Sequence, residues 1–189
     1  ACRLGNGGMS FDGGALGLFI AGYVYARRNG VSGLRLADYL AAVAPMGQMF
    51  GRIANFINGE LWGRPTDVAW AVIFPGGGDV ARHPSQLYAA FMEGFLIFVV
   101  LQLLFWKTRA RYYPGLLLGT GVGLYAIARF VGEFFRQPDE QLAEFAMQTG
   151  LSMGQWLTLP MFAIGILLVL TAKKRRQRVE PFAGTDSVA

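Results

Sequence analysis

Apolar residues gather into five stretches of the chain. The third, 84–106, is the strongest and contains Phe95-Leu-Ile-Phe-Val-Val-Leu-Gln-Leu-Leu-Phe105. The fourth, 116–135, and the fifth, 155–172, have the same character. The first, 13–25, is short unless residues 8–11 begin it and extend it to 8–26, and the second, 36–57, is interrupted by Asp38, Gln48 and Arg52. About 20 apolar residues cross a bilayer core as a helix, so the pattern predicts an all-α polytopic membrane protein with about five transmembrane helices. Residues 58–83 differ. They hold a strand candidate, Trp70-Ala-Val-Ile-Phe74, and a turn, Pro75-Gly-Gly-Gly78. They predict a small extracytoplasmic head. With no internal repeat and no soluble second domain, residues 1–172 read as one membrane domain and 173–189 as a basic cytoplasmic tail.

Basic residues set the expected orientation. Arg27, Arg28 and Arg35 lie between the first two stretches, Lys107, Arg109 and Arg111 between the third and fourth, and Lys173-Lys-Arg-Arg-Gln-Arg178 after the fifth. The positive-inside rule makes all three regions cytoplasmic, and strict alternation then faces 58–82 and 137–154 outward. Trp62, Trp70 and Trp156 fall near that outer boundary, as an aromatic belt would. The terminal basic run reads as a stop-transfer and lipid-headgroup anchor, not a nucleic-acid patch.

Composition sharpens this picture. Of 189 residues, 53% are hydrophobic and only 15% charged, against roughly 25% charged in soluble domains. The 26 glycines suit helices that approach closely in lipid. The net charge of +5 comes from basic residues at segment ends, which argues against nucleic-acid binding. One cysteine, Cys2, and one histidine, His83, cannot build a disulfide framework or a Cys/His metal cluster. The opening residues lack a signal-peptide pattern and begin with Ala1, so a missing N-terminal segment is expected.

Charges inside apolar stretches are the candidate chemistry. An arginine buried in a bilayer costs about 2.5–3.5 kcal/mol on insertion scales. Arg129 sits in such a stretch. At helical spacing Tyr125, Arg129, Glu133 and Arg136 fall on one face, within about a quarter turn. They read either as a functional stripe or as an Arg–Glu pair that staples helices. Arg52 and Asn55 lie one turn apart on a helix expected to stop at Asn58-Gly59. Arg52 and Arg129, both at the outer boundary, suit a lipid phosphate through bidentate guanidinium geometry. Ordinary snorkelling arginines are the alternative. His83, just before Pro84, stands in the outward mouth, for structure or for orientation and acid–base work. Asp12, Asn58 and Glu60 belong to the same outer level. Gly76–Gly78 lack the Lys-Ser/Thr of a phosphate loop. Gly121 and Gly123 read as close helix packing.

Gly51-Arg-Ile-Ala-Asn-Phe-Ile-Asn-Gly-Glu-Leu-Trp-Gly-Arg64 resembles the signature of the bacterial prolipoprotein diacylglyceryl transferases. Gly7-Gly-Met-Ser-Phe-Asp-Gly-Gly14, His83-Pro-Ser-Gln-Leu-Tyr88, Arg129-Phe-Val-Gly-Glu-Phe-Phe-Arg-Gln-Pro-Asp139 and Leu151-Ser-Met-Gly-Gln-Trp156 match in the family's order. The resemblance covers nearly all of the chain except its basic tail. It covers only the later part of the family's usual length. Members have seven membrane helices, so the first two are expected to be absent here.

The resemblance implies transfer of the diacylglyceryl group of phosphatidylglycerol to the thiol of the lipobox cysteine of a preprolipoprotein. A thioether forms and glycerol phosphate leaves. It also implies the bacterial inner membrane, an active site toward the outer side, surrounding membrane lipids as partners, and neither metal nor soluble cofactor. Arg52, Asn55, Glu60, Gly63, Tyr125, Arg129 and Glu133 match positions used for headgroup binding and catalysis, and Arg136 and His83 match further motif positions. Asn58 joins the substrate-binding set. Glu133 is expected to hold Arg129, and Glu60 to hold Arg52 or Arg64. Three departures stand out. Asp12 replaces the usual histidine, and reads either as the base that activates the thiol or as a helix cap. Ala54 stands where glycine is common, and Ala89 where glutamate is common. A non-enzymatic lipid or anion carrier and an inactive truncated scaffold are the other readings of the same residues.

Overall fold

A computed structural model of the chain describes residues 11–137 and 150–176, the side chains of 11–13, 15, 16 and 19 excepted. Five long helices run through it: α1 (Phe11–Arg28), α2 (Gly33–Ile57), α3 (Ser85–Lys107), α4 (Leu116–Gly132) and α5 (Met153–Thr171). Ser85–Lys107 and Met153–Arg175 are long and apolar enough to cross a bilayer by themselves, and Leu116–Gly132 is apolar but shorter. Large apolar side chains such as Phe50, Ile57, Phe95, Leu157, Leu167 and Leu170 are exposed along the helices. Such a surface fits a hydrocarbon solvent, where only the backbone must be satisfied internally.

Helices α2 to α5 alternate in direction, as their contacts at each end show. At one end, Asp38 near the start of α2 accepts hydrogen bonds from the backbone N–H groups of Gly115 and Leu118 at the start of α4, at 2.8 and 2.7 Å. There Arg175, past the end of α5, donates to the carbonyl of Pro114 at 2.7 Å. The opposite end gathers Arg52 of α2, Glu93 of α3 and Arg129 of α4. The basic regions 27–35, 107–111 and 173–175 therefore flank one end of the bundle. Ile97, Leu101, Phe105, Ala110 and Leu117 form the core, with Tyr39 and Tyr125 against it.

Glycines set the closest helix approaches. A Cβ on Gly165 would lie 2.8 Å from the nitrogen of Gly123 and 2.9 Å from the oxygen of Gly119, so α4 and α5 touch backbone to backbone. A Cβ on Gly94 would lie 2.5 Å from the Met49 Cβ, which brings α2 and α3 together in the same way. Small residues provide this contact where lipid supplies no hydrophobic drive. The packing expected at Gly123 is thus present, while Gly121 makes a looser approach to Leu101. Within α3, residues Ala90–Leu96 form a π-helical stretch between two α-helical ones. Such wide turns are rare and recur at functional sites.

The head is a folded unit on the end of α2. Its strands, β1 (Val72–Ile73) and β2 (Ala81–Arg82), pair antiparallel across the glycine turn. β1 is shorter than the expected 70–74 because Ala71 still belongs to a turn, donating to the Val68 carbonyl at 2.9 Å. Phe74 is buried between Phe56 and a stacked Trp62, and Arg82 lies over the Trp62 ring. Trp62 is thus packed inside the head, whereas Trp70 and Trp156 are exposed as belt residues would be. Helix α4 ends at Gly132, three residues before the end of its apolar stretch. Phe134 and Phe135 turn back onto Val131 and Gly132, and Arg136 pairs with Gly63 in an isolated bridge.

Candidate active site

Three helices contribute charges to one point. Glu93, on the π-helical stretch of α3, is 1% exposed. Its Oε2 accepts from Gln48 Nε2 at 3.0 Å and from Arg52 at 3.3 Å, both on α2. Its Oε1 lies 3.7 Å from Arg129 of α4. Arg129 also reaches Glu133 at 3.0 Å, and Arg136 lies 3.8 Å from the same carboxylate oxygen. A buried carboxylate without such partners would cost several kcal/mol in desolvation. The same holds for the arginines, each largely buried. Three guanidinium groups thus share two carboxylates, leaving one net positive charge in the cluster.

Glu133 is held from a second side. The Ser152 hydroxyl donates to it at 3.3 Å while accepting from the backbone N–H of Gln155, and the Gln155 side chain accepts from the Ser152 backbone N–H. This capping box starts α5. A Cβ on Gly154 would lie 2.8 Å from Glu133 Oε2, so glycine lets the carboxylate sit at the N-terminus of α5. A helix N-terminus carries partial positive charge and favours that anion.

A narrow cleft of about 20 Å³ opens beside the cluster, lined by Arg52, Leu61, Ser85, Gln86, Ala89, Glu93, Arg129, Gly132 and Arg136. Its rim is fastened to the start of α3. The Ser85 hydroxyl donates to the Leu61 carbonyl at 3.2 Å, and Gln86 Nε2 donates to the Glu60 carbonyl at 2.6 Å. These bonds support Leu61, which adopts φ +55°, an unfavourable conformation for a residue with a Cβ.

Arg52, Arg129, Glu133 and Arg136 therefore meet, and Tyr125, one turn before Arg129, lies within range of the charges of Glu93, Arg129, Arg52 and Arg136. Asn55 and Asn58 occupy the last turn and cap of α2. The Asn55 carbonyl accepts from the Glu60 N–H at 2.9 Å. Gly59 takes φ +67° just past that cap, at the expected helix stop. The expected Glu60–arginine pair is not formed. Glu60 is exposed, Arg52 is held by Glu93, and Arg64 donates to the Arg136 carbonyl at 3.0 Å. Gly63 forms a backbone seam. Its N–H donates to the His83 carbonyl at 3.0 Å, and a Cβ there would lie 2.5 Å from that oxygen and 2.7 Å from the Phe135 oxygen. His83 lies in the seam, its ring against Tyr88 and Phe135 and its Nδ1 3.3 Å from the Tyr88 hydroxyl. It does not line the cleft. The side chain of Asp12 is outside the described residues.

Glu93 escapes the sequence reading, and Gln48, Gln86 and Ser152 stand in it without a role of their own. A signal for Glu93 existed, since it is the one acidic residue of the apolar stretch 84–106. The cost that singled out Arg129 applies to it equally. It stands one turn beyond Ala89, and both face the cleft.

The sequence model of the family described as prolipoprotein diacylglyceryl transferase matches residues 1–171. The chain belongs to this family. It is 51% identical over 180 residues to the phosphatidylglycerol–prolipoprotein diacylglyceryl transferase of Erythrobacter litoralis, covering 95% of this chain and 64% of that protein. The protein of the same name from Idiomarina loihiensis is 52% identical over 170 residues, covering 90% and 62%. That from Zymomonas mobilis is 50% identical over 173 residues, covering 92% and 60%. The chain thus spans somewhat under two thirds of the length of these relatives.

Proposed function

We propose that the protein transfers the diacylglyceryl group of phosphatidylglycerol to the lipobox cysteine thiol of a preprolipoprotein, forming a thioether and releasing glycerol phosphate. One observation carries the reading: Arg52 and Arg129, 77 positions apart in sequence, converge on a single buried carboxylate beside a cleft. The cluster's single net positive charge matches the single negative charge of a phosphodiester. The names of the relatives supply both substrates.

In this mechanism the substrate thiolate attacks the glycerol carbon that bears the phosphate. The carbon–oxygen bond breaks, and negative charge grows on the departing phosphate. Arg52 and Arg129 donate to that charge from a site where water does not compete, a contribution of about 3–4 kcal/mol per donor. Glu93 and Glu133 hold the two guanidinium groups in place before the lipid arrives, so little reorganisation remains for the reacting state. Arg136 and Asn55 border the headgroup, with Asn58 and Gly63 shaping the approach. Tyr125, one turn before Arg129, lies within range of the same charges. A free thiol has a pKa of about 8.5, so its proton needs a taker. Asp12 is the first candidate for that task, with His83 and Glu60 as the others. In the membrane, α1 to α5 cross the bacterial inner membrane with the basic ends inside and the cleft at the outer face.

The test is direct. The purified full chain, reconstituted with phosphatidylglycerol and a lipobox peptide, is expected to add one diacylglyceryl mass to the peptide cysteine. Lipid exchange without a covalent product would replace the transferase reading with that of a carrier.

A further inference from the structure

Gln86 lines the same cleft and is 2% exposed. Its Nε2 donates to the Glu60 carbonyl at 2.6 Å, which fixes the orientation of the amide, because the reversed amide would set two oxygens against each other. The other end, Oε1, is buried and accepts no hydrogen bond. In the same cleft Arg52 Nε is buried and donates none, its terminal nitrogen being the one that reaches Glu93. A buried polar atom left unsatisfied costs about 1–3 kcal/mol, so each of these is a vacancy that a ligand would relieve.

Resting on the transferase reading, we infer that Gln86 Oε1 and Arg52 Nε form a subsite for a hydroxyl of the lipid headgroup and so favour polyol headgroups over others. A hydroxyl is the group that both donates one hydrogen and accepts others. A polyol headgroup, with more than one hydroxyl, has a donor for the Gln86 oxygen and an acceptor for the Arg52 nitrogen. An ammonium headgroup satisfies the oxygen but meets a net positive cluster and has no lone pair for Arg52. An alkyl headgroup satisfies neither atom. A site built to bond a hydroxyl rejects the analogue that lacks it, because its own polar groups then stay buried and unpaired. Gln86 is thus a specificity residue that acts on the part of the substrate that leaves with the phosphate.

The test compares phosphatidylglycerol with phosphatidylethanol of identical acyl chains. Both are phosphodiesters of the same charge, and the ethyl headgroup has no hydroxyl. The full chain is reconstituted with either lipid and a lipobox peptide, and initial rates of adduct formation are read by mass spectrometry. The wild-type protein is expected to favour phosphatidylglycerol by about tenfold or more. Gln86→Met, similar in length but without the amide, is expected to narrow the ratio to below about threefold, the rate on phosphatidylglycerol falling more than that on phosphatidylethanol. Equal rates on the two lipids in the wild type overturn the subsite. So does a ratio that survives Gln86→Met, or an equal loss on both lipids in a variant whose Tm is unchanged. Should Gln86→Met fail to fold, Gln86→Asn withdraws the carbonyl by one methylene, and the same narrowing or its absence decides. Adduct from neither lipid in the wild type overturns the transferase reading itself, an outcome distinct from adduct formed at an unaltered ratio.

Discussion

Asp38 and Glu93 are both sunk into the bundle, at 2% and 1% exposure, and lie toward opposite ends of it. Asp38 is held by backbone. Its two oxygens take the N–H groups of Gly115 and Leu118, donors that the first turn of α4 cannot satisfy within the helix. Arg175 completes that end by donating to the carbonyls of Pro114 and Leu168 and to the Thr171 hydroxyl. Glu93 is held by side chains. Gln48, Arg52 and Arg129 come from two helices, and the Arg129 contact, at 3.7 Å, is an ion pair without a close hydrogen bond. Backbone partners cannot turn toward a ligand without unwinding a helix. Guanidinium groups can, by rotating a side chain. The end around Asp38 is therefore suited to structure, and the end around Glu93 to exchange of partners with an anion.

Three substitutions would break or sharpen this contrast. The largest effect is expected from Glu93→Ala, which leaves Arg52 and Arg129 facing each other across a buried gap. Removing one member of a buried charge network costs about 3–5 kcal/mol. Thermal unfolding in detergent should show it, and a Tm within a degree of wild type would mean that the arginines do not depend on Glu93. Arg129→Lys comes next. It keeps the charge and loses the fork that spans Glu93 and Glu133, so adduct formation should fall about 100-fold, with a smaller change in Tm. Undiminished turnover would remove Arg129 from the chemistry. The smallest effect is expected from Asp38→Ala. It orphans two backbone donors at a cost of about 1–3 kcal/mol, while the rate per folded molecule stays at the wild-type value. A lost rate with an intact fold would make Asp38 a functional group and erase the distinction.

Much of this arrangement was legible in the sequence. The five apolar stretches became five helices because their apolar runs and the glycine and proline breaks between them are local signals. The placement of Arg129 and Glu133 on one face followed from helical periodicity. The head's turn followed from its three consecutive glycines. What local signals could not provide were partners distant in sequence. The sequence offers Glu60 as the partner of Arg52 or Arg64, yet the bundle hands Arg52 Glu93, 41 positions away. The acceptor role of Asp38 depends on where the start of α4 falls, and the role of Gly63 depends on two other segments crossing beside it. His83 looked like a cleft residue because it precedes α3. Its ring is instead taken up by Tyr88 and by Phe135, the second a contact that depends on the end of α4 folding back.

That crossing at Gly63 has a mechanical corollary. The His83 N–H donates to the Arg64 carbonyl, the Gly63 N–H to the His83 carbonyl and the Arg64 N–H to the Phe135 carbonyl, so hairpin, α3 entrance and α4 exit are stitched into one plate over the cluster. A bulky lipid arriving from the bilayer cannot raise one flap of that plate alone. Admission must come sideways between helices, or by tilting the entire cover as a lever hinged on the last turn of α2.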